Sequence, residues 1–138
     1  EGCFFMSDKL NTISIPISPG ELLDKLTILE IKLERIKDKE KLTNISYEYD
    51  SLKTIVQRDI SQSPKLDTLY QELKLINGKL WDIEDDIRDC ERNQDFSDTF
   101  VQLARSVYIT NDKRASLKKD INTYLGSHLV EEKSYQAY

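Results

Sequence analysis

At 138 residues, with a formal charge of −5, 33% charged and 38% hydrophobic side chains, four Gly and three Pro, the chain fits one domain of long, solvent-faced helices. A domain of this size buries roughly two-thirds of the surface its unfolded form exposes, so neither metal nor disulfide is needed to hold it together. The charge reads as spread along the chain with no clustered basic arm, which argues against nucleic acid, and no run approaches the ~20 apolar residues of a bilayer span, which argues against a membrane.

Residues 1–12 read as a tail, upstream or cloning-derived sequence with Met6 as the native start, and GCFFM is too short for a signal-peptide core. Residues 13–138 read as a single helical bundle domain. Cys3 lies in the tail and Cys90 in a helix seam, so no disulfide framework is expected and the cytoplasm is the expected compartment. Ile13, Ile15 and Ile17 alternate with Ser14, Pro16 and Ser18, giving an extended arm with one apolar edge. Pro16 rules out a central strand. The arm is expected to lie along the helices, on its own bundle in preference to a partner's.

Ser18-Pro19-Gly20-Glu21 supplies an N-cap, a proline at the first helical position and a capping-box glutamate. Leu22, Leu26, Leu29, Leu33 and Ile36 then form one stripe, and Ile28 and Ile31 a second, so this helix should touch more than one neighbour. At Lys37 to Lys41 the seam loses phase. Leu42, Ile45, Tyr49, Leu52 and Val56 resume it turned by about 120°. Either the helix breaks here or it continues while changing partners; with no Gly or Pro at this point, continuation over 19–60, with room for a kink near 37–41, is the preferred expectation. Ser63-Pro64 opens a helix over 64–93, in which Leu66, Leu69, Leu73, Ile76, Leu80, Ile83, Ile87 and Cys90 alternate spacings of three and four like a coiled-coil seam. After a loop at 93–97, a last helix over 98–124 carries Phe100, Leu103, Val107, Leu117, Ile121 and Leu125 and stops at Gly126. Leu129, Val130 and Tyr135 can anchor the tail that follows. The fold class is all-α: an antiparallel bundle of three to four long helices with an N-terminal arm and a C-terminal tail.

Four blocks, PISPGELLDKLTILEIKLERI (16–36), KLWDIEDDIRDCE (79–91), ARSVYITNDKRASLKKDIN (104–122) and LVEEKSY (129–135), resemble a family of small all-helical bacterial and marine-phage proteins of unknown function. The resemblance covers nearly the whole chain after the first dozen residues, less firmly over 47–75. It implies a self-contained helical unit and brings no activity with it.

Chemistry is most expected at the polar interruption of the last helix, where Thr110, Asn111 and Arg114 replace apolar seam residues beside Asp112 and Lys113. Arg105, Tyr108 and Asp112 share one stripe, Asn111 and Arg114 the next. An Arg in a seam needs an acidic partner or an opening to solvent. The bland reading, favoured, is an Arg–carboxylate network that fixes helix register; the sharper one is a site for a small anionic ligand. The facing surface would be Asn77, Trp81 and Glu84, with Glu84 pairing Arg105 or Arg114, and Gly78 allowing close approach of another backbone or of Tyr108. Asp82, Asp85, Asp86 and Asp89 form an acidic face, yet no second carboxylate helix is evident, since Glu30 and Glu34 are interleaved with Lys32 and Arg35. His128 is the only histidine, so no multi-histidine metal centre is expected. No metal and no cofactor are expected.

Two functions compete. The first is a non-enzymatic interaction or assembly module, a homodimer, suggested by the two-faced first helix and the apolar arm. The second is a small enzyme or binding protein for an anionic metabolite, with Arg105, Arg114 and Asn111 holding the anion and Glu84 as acid or base, in the manner of a helical mutase of the chorismate type. Mg²⁺-dependent nucleotide hydrolysis stands third.

Overall fold

The computed structural model describes residues 12–138, all helix and connecting segments, without a strand among them. The expectations for residues 1–11, Cys3 among them, lie outside the described residues. Helix α1 (Pro19–Arg35) starts where Ser18 accepts the Glu21 amide at 3.2 Å. Only half of the expected capping box forms, because the Glu21 carboxylate turns to Lys118 instead.

The continuous helix expected over 19–60 is corrected to two. Ile36 is extended (φ −84°, ψ 136°), and α2 (Lys39–Asp59) begins afresh with the Asp38 side chain accepting the Lys41 amide at 3.1 Å. A straight helix would leave the stripes on either side of the break about 120° apart. Breaking it lets Leu22, Leu23 and Leu26 share one core with Val56 and Ile60. An Asp N-cap suffices for this without Gly or Pro.

Helix α3 (Pro64–Arg92) is capped by Ser63, and α4 (Asp98–Leu125) ends at Gly126 in the left-handed region (φ 68°). They form an antiparallel hairpin, and α1 packs against α2, α3 and α4. The core sits at the base of that hairpin, where Leu66, Leu69, Leu73 and Ile121 meet the α1 leucines. The isoleucine arm has no regular structure; Ile17 reaches the core edge, whereas Ile13 and Ile15 are exposed.

The 29-residue α3 far outruns the 17-residue α1. Arg35, the last residue of α1, bonds Asp82 at 2.5 Å and lies over the Trp81 ring, while α2 packs on α1 alone. From Asp82 to Arg92, about 15 Å at 1.5 Å per residue, α3 and α4 continue as a bare two-helix hairpin. Within it Ile83 and Ile87, with Phe100 and Leu103 opposite, are half-buried, as Ile76 and Leu80 are farther back along the seam. Cys90, near the tip, is buried.

Candidate functional site

Three helices each place a polar residue at a core-facing position, and these meet. On α1, Gly20, Asp24, Thr27 and Ile31 form a stripe at spacings of four and three, all buried. Asp24, 1% exposed, takes the Arg114 guanidinium in two bonds, Nε to Oδ1 at 2.9 Å and Nη2 to Oδ2 at 2.5 Å. Asn77 of α3 donates to the same Oδ1 at 2.9 Å and to Thr27 Oγ1 at 2.8 Å, and the Thr27 hydroxyl donates to the Asp24 carbonyl at 2.7 Å. The network thus joins α1, α3 and α4. Its bidentate, charge-assisted bond raises the Arg114 pKa against the opposing effect of burial.

One turn on, Lys118 donates to Glu21 at 2.7 Å and to Glu131 of the tail at 3.4 Å. Burial acts most strongly on Lys118 and would lower its pKa, yet the Glu21 bond and the charges of Asp24, Glu21 and Glu131 together raise it. Asn122 accepts the Gly20 amide at 2.7 Å. A Cβ on Gly20 would stand 2.4 Å from the Lys118 carbonyl oxygen, so here α1 and α4 touch backbone to backbone.

The residues expected to make one site are dispersed. Arg114 and Asn77 join the buried network, in which Asp24, not Glu84, is the partner. Glu84 is exposed and pairs with Arg88 on its own helix, and Arg105, also exposed, bonds Gln102 at 3.2 Å. Trp81 is half-buried beneath Arg35. Tyr108, Asn111 and Asp112 line a cleft of about 650 Å³ beneath the tail, where Tyr138 meets the Tyr108 ring edge-on and Asp112 pushes the Tyr138 phenol pKa up. The close approach expected at Gly78 belongs to Gly20: the nearest atom to a Cβ at Gly78 is an Arg35 nitrogen at 3.6 Å.

Sequence reasoning missed Asp24, Thr27, Glu21, Lys118 and Asn122. The available signal was Asp24 and Thr27 at apolar spacing on α1, the mirror of the Arg114 anomaly on α4. Chemically the network is closed. Both Asp24 carboxylate oxygens are engaged, and among the described residues no buried side-chain N or O lacks a partner. Such an arrangement fixes how the helices dock and offers no spare base or cation. Among the described residues no cluster of three or more His, Cys, Asp or Glu is placed to hold a metal ion, and no helix is long and apolar enough to cross a membrane.

The exposed chemistry lies at the hairpin tip. Charge is not spread along the chain as expected: residues 82–98 hold eight acidic side chains against two basic, a net −6 beside −5 for the whole sequence. Asp85, Asp86 and Glu91 are exposed there, next to the half-covered Ile83, Ile87, Phe100 and Leu103 and to Phe96 and Val101, about half exposed.

No curated protein and no solved structure matches the chain. The model of a family of unknown function, DUF6165, matches residues 13–138, from the isoleucine arm through the tail, and the chain belongs to that family.

Proposed function

We propose that this protein is a non-enzymatic interaction module whose working surface is the distal half of the α3–α4 hairpin. One observation carries the reading: the apolar seam continues for three turns beyond Arg35, the end of α1, with only two helices to cover it. Apart from Cys90, the two helices leave that stripe half-buried, and a third surface would remove the rest of it from water. Hydrogen exchange tests this. In the dilute free chain, amides of Ile83–Cys90 and Phe100–Leu103 are expected to exchange much faster than those of Leu66–Leu73, because local opening follows the density of buried contacts. Equal protection along α3 would sink the reading.

A second reading, the binding of a small anion, draws on a cleft of about 530 Å³ between the end of α4 and the tail, where Lys119 and Lys133 stand with Ser116 and Thr123 and beside Glu131 and Glu132. It does not draw on Arg114, whose charge Asp24 already answers. Phosphate and citrate are then expected to raise the melting temperature, and Lys119→Gln to remove the effect; the absence of any shift excludes it.

A further inference from the structure

We infer that the cleft of about 650 Å³ between the middle of α4 and the end of the tail binds a small zwitterion with an aromatic body, the chemistry of a free aromatic amino acid. Gly126 turns the chain back at the end of α4, and the tail then runs along that helix in the opposite direction. Glu131 reaches Lys118 at 3.4 Å, and Tyr138 reaches Tyr108, nearer the helix start. The cleft lies under the far end of this strap. It is outside both the buried network and the distal hairpin, so such a ligand would be bound in addition to the partner proposed above.

A pair of opposite charges that do not meet marks the cleft. Asp112 on α4 and Lys133 on the tail both line it. Among the described residues neither belongs to an ion pair, although Arg114 and Lys118 on the same helix are both paired. Each leans instead on a neutral tyrosine. Asp112 raises the Tyr138 pKa, first through a side-chain hydrogen bond, and the Lys133 ammonium lies 5.9 Å from the centre of the Tyr135 ring. A phenol and an aromatic face steady a charge without cancelling it. Val107 and the Tyr108 and Tyr138 rings, whose centres stand 5.2 Å apart, complete the wall with apolar surface suited to a ring. A ligand with one charge would leave Asp112 or Lys133 unanswered. A zwitterion answers both, its ammonium on Asp112, its carboxylate on Lys133 and its ring against the tyrosines. A few polar groups in a mostly apolar cleft of roughly 300–1,000 Å³ are the usual make-up of a small-molecule site. Because Asp112, Tyr108 and the whole tail wall are exposed, binding is expected to be weak, in the millimolar range.

The test is a titration of the isotope-labelled full-length chain, followed by backbone amide shifts, with three probes of one shape: L-phenylalanine, phenethylamine, which lacks the carboxylate, and hydrocinnamate, which lacks the ammonium. L-phenylalanine is expected to shift amides at 107–112 and 133–138 saturably. Each single-charge probe is expected to bind about tenfold or more weaker, and so is L-phenylalanine to Asp112→Asn and to Lys133→Gln. Both positions are exposed, and circular dichroism checks that helicity is unchanged. Lys119→Gln lies outside this cleft and is expected to leave L-phenylalanine binding as it was, which separates this site from the anion cleft under the end of α4. No saturable shift with L-phenylalanine overturns the site. Phenethylamine or hydrocinnamate binding as tightly as L-phenylalanine, or parental affinity in either the Asp112 or the Lys133 variant, overturns the zwitterion as its ligand. Neither result touches the exchange gradient along α3, on which the module reading stands or falls separately.

Discussion

Asp24 and Arg114 are unequally placed, and the inequality has consequences. The carboxylate is 1% exposed and the guanidinium side chain 29%. Replacing Arg114 with Ala leaves a buried charge whose remaining side-chain partner is Asn77. A loss of about 3–5 kcal/mol is expected, the usual cost of orphaning one member of a buried pair. Asp24→Ala strands a guanidinium that can still reach water, so its cost is expected to be smaller, though Asn77 then loses an acceptor. The double variant should lose less than the sum of the two, since both single changes break the same bonds. Urea denaturation of the three proteins measures this directly. Equal single losses that add would show the pair to be uncoupled. Arg114 was legible in the sequence as an anomaly, a cation where the seam wanted an aliphatic residue. Its partner was signalled only as a second anomaly, Asp24 and Thr27 at apolar spacing on α1; that the two anomalies meet depends on which of α1's stripes faces α4, which periodicity within one helix does not tell.

At the scale of elements, boundaries set by local chemistry were readable and those set by packing were not. Ser18, Ser63 and Gly126 act through bonds to residues a few positions away, so their types announce them. The break at 36–38 rests on Asp38 within a run of lysines and on the reward of bringing two stripes onto one core. Glycines divide the same way. Gly78 looked like a contact point because Gly inside a helix is costly, yet it faces little; Gly20, to which the capping pattern around it assigned no role, holds the close approach. Gly20→Ala is therefore expected to cost about 1–3 kcal/mol through displacement of α4. Gly78→Ala is expected to add about 0.5–1 kcal/mol by removing backbone freedom from the unfolded chain. The two helix ends of the hairpin supply a further comparison. After α4 the amides of Gly126 and Ser127 donate to the carbonyls of Thr123 and Asn122, and after α3 those of Gln94 and Asp95 donate to Glu91 and Cys90. The motif is the same, but Gln94 sits at φ 52° with a side chain that this conformation disfavours. Gln94→Gly is expected to raise stability by about 1 kcal/mol, read as a shift in denaturation midpoint; a fall would mean that the strain is absent.

For the whole molecule, the antiparallel bundle was legible because length, patterning and caps all agreed on it. The uneven coverage of its hairpin was not, because it arises from α1 stopping at Arg35 while α2 turns away along α1. That leaves α1 as the common contact of the other three helices, and lysines tie it down at both ends: Lys118 to Glu21 on the α4 side, Lys74 to Glu30 and Glu34 on the α3 side. The pKa of Lys74 is raised, chiefly by its bond to Glu34 against the effect of burial, and that of Lys118 is raised by acidic neighbours that outweigh burial. Tyr49, on α2 facing this junction, is raised too, first by burial and then by the charges of Glu30 and Asp50. All three shifts have one sign. A lysine whose folded pKa exceeds its unfolded value of about 10.4 contributes stability that is fully present below that value and is lost as pH rises through the folded one. Tyr49 acts in the same direction, because above about pH 10 the unfolded phenol ionises while the folded one resists. The urea midpoint is accordingly expected to hold level at moderately alkaline pH and then fall steeply above about 10. Lys118→Gln should lower the plateau and flatten the fall, since the group that loses its proton is gone. A variant whose decline is as steep as the parent's would place the alkaline instability elsewhere and take from Lys118 the role of holding α1 to α4.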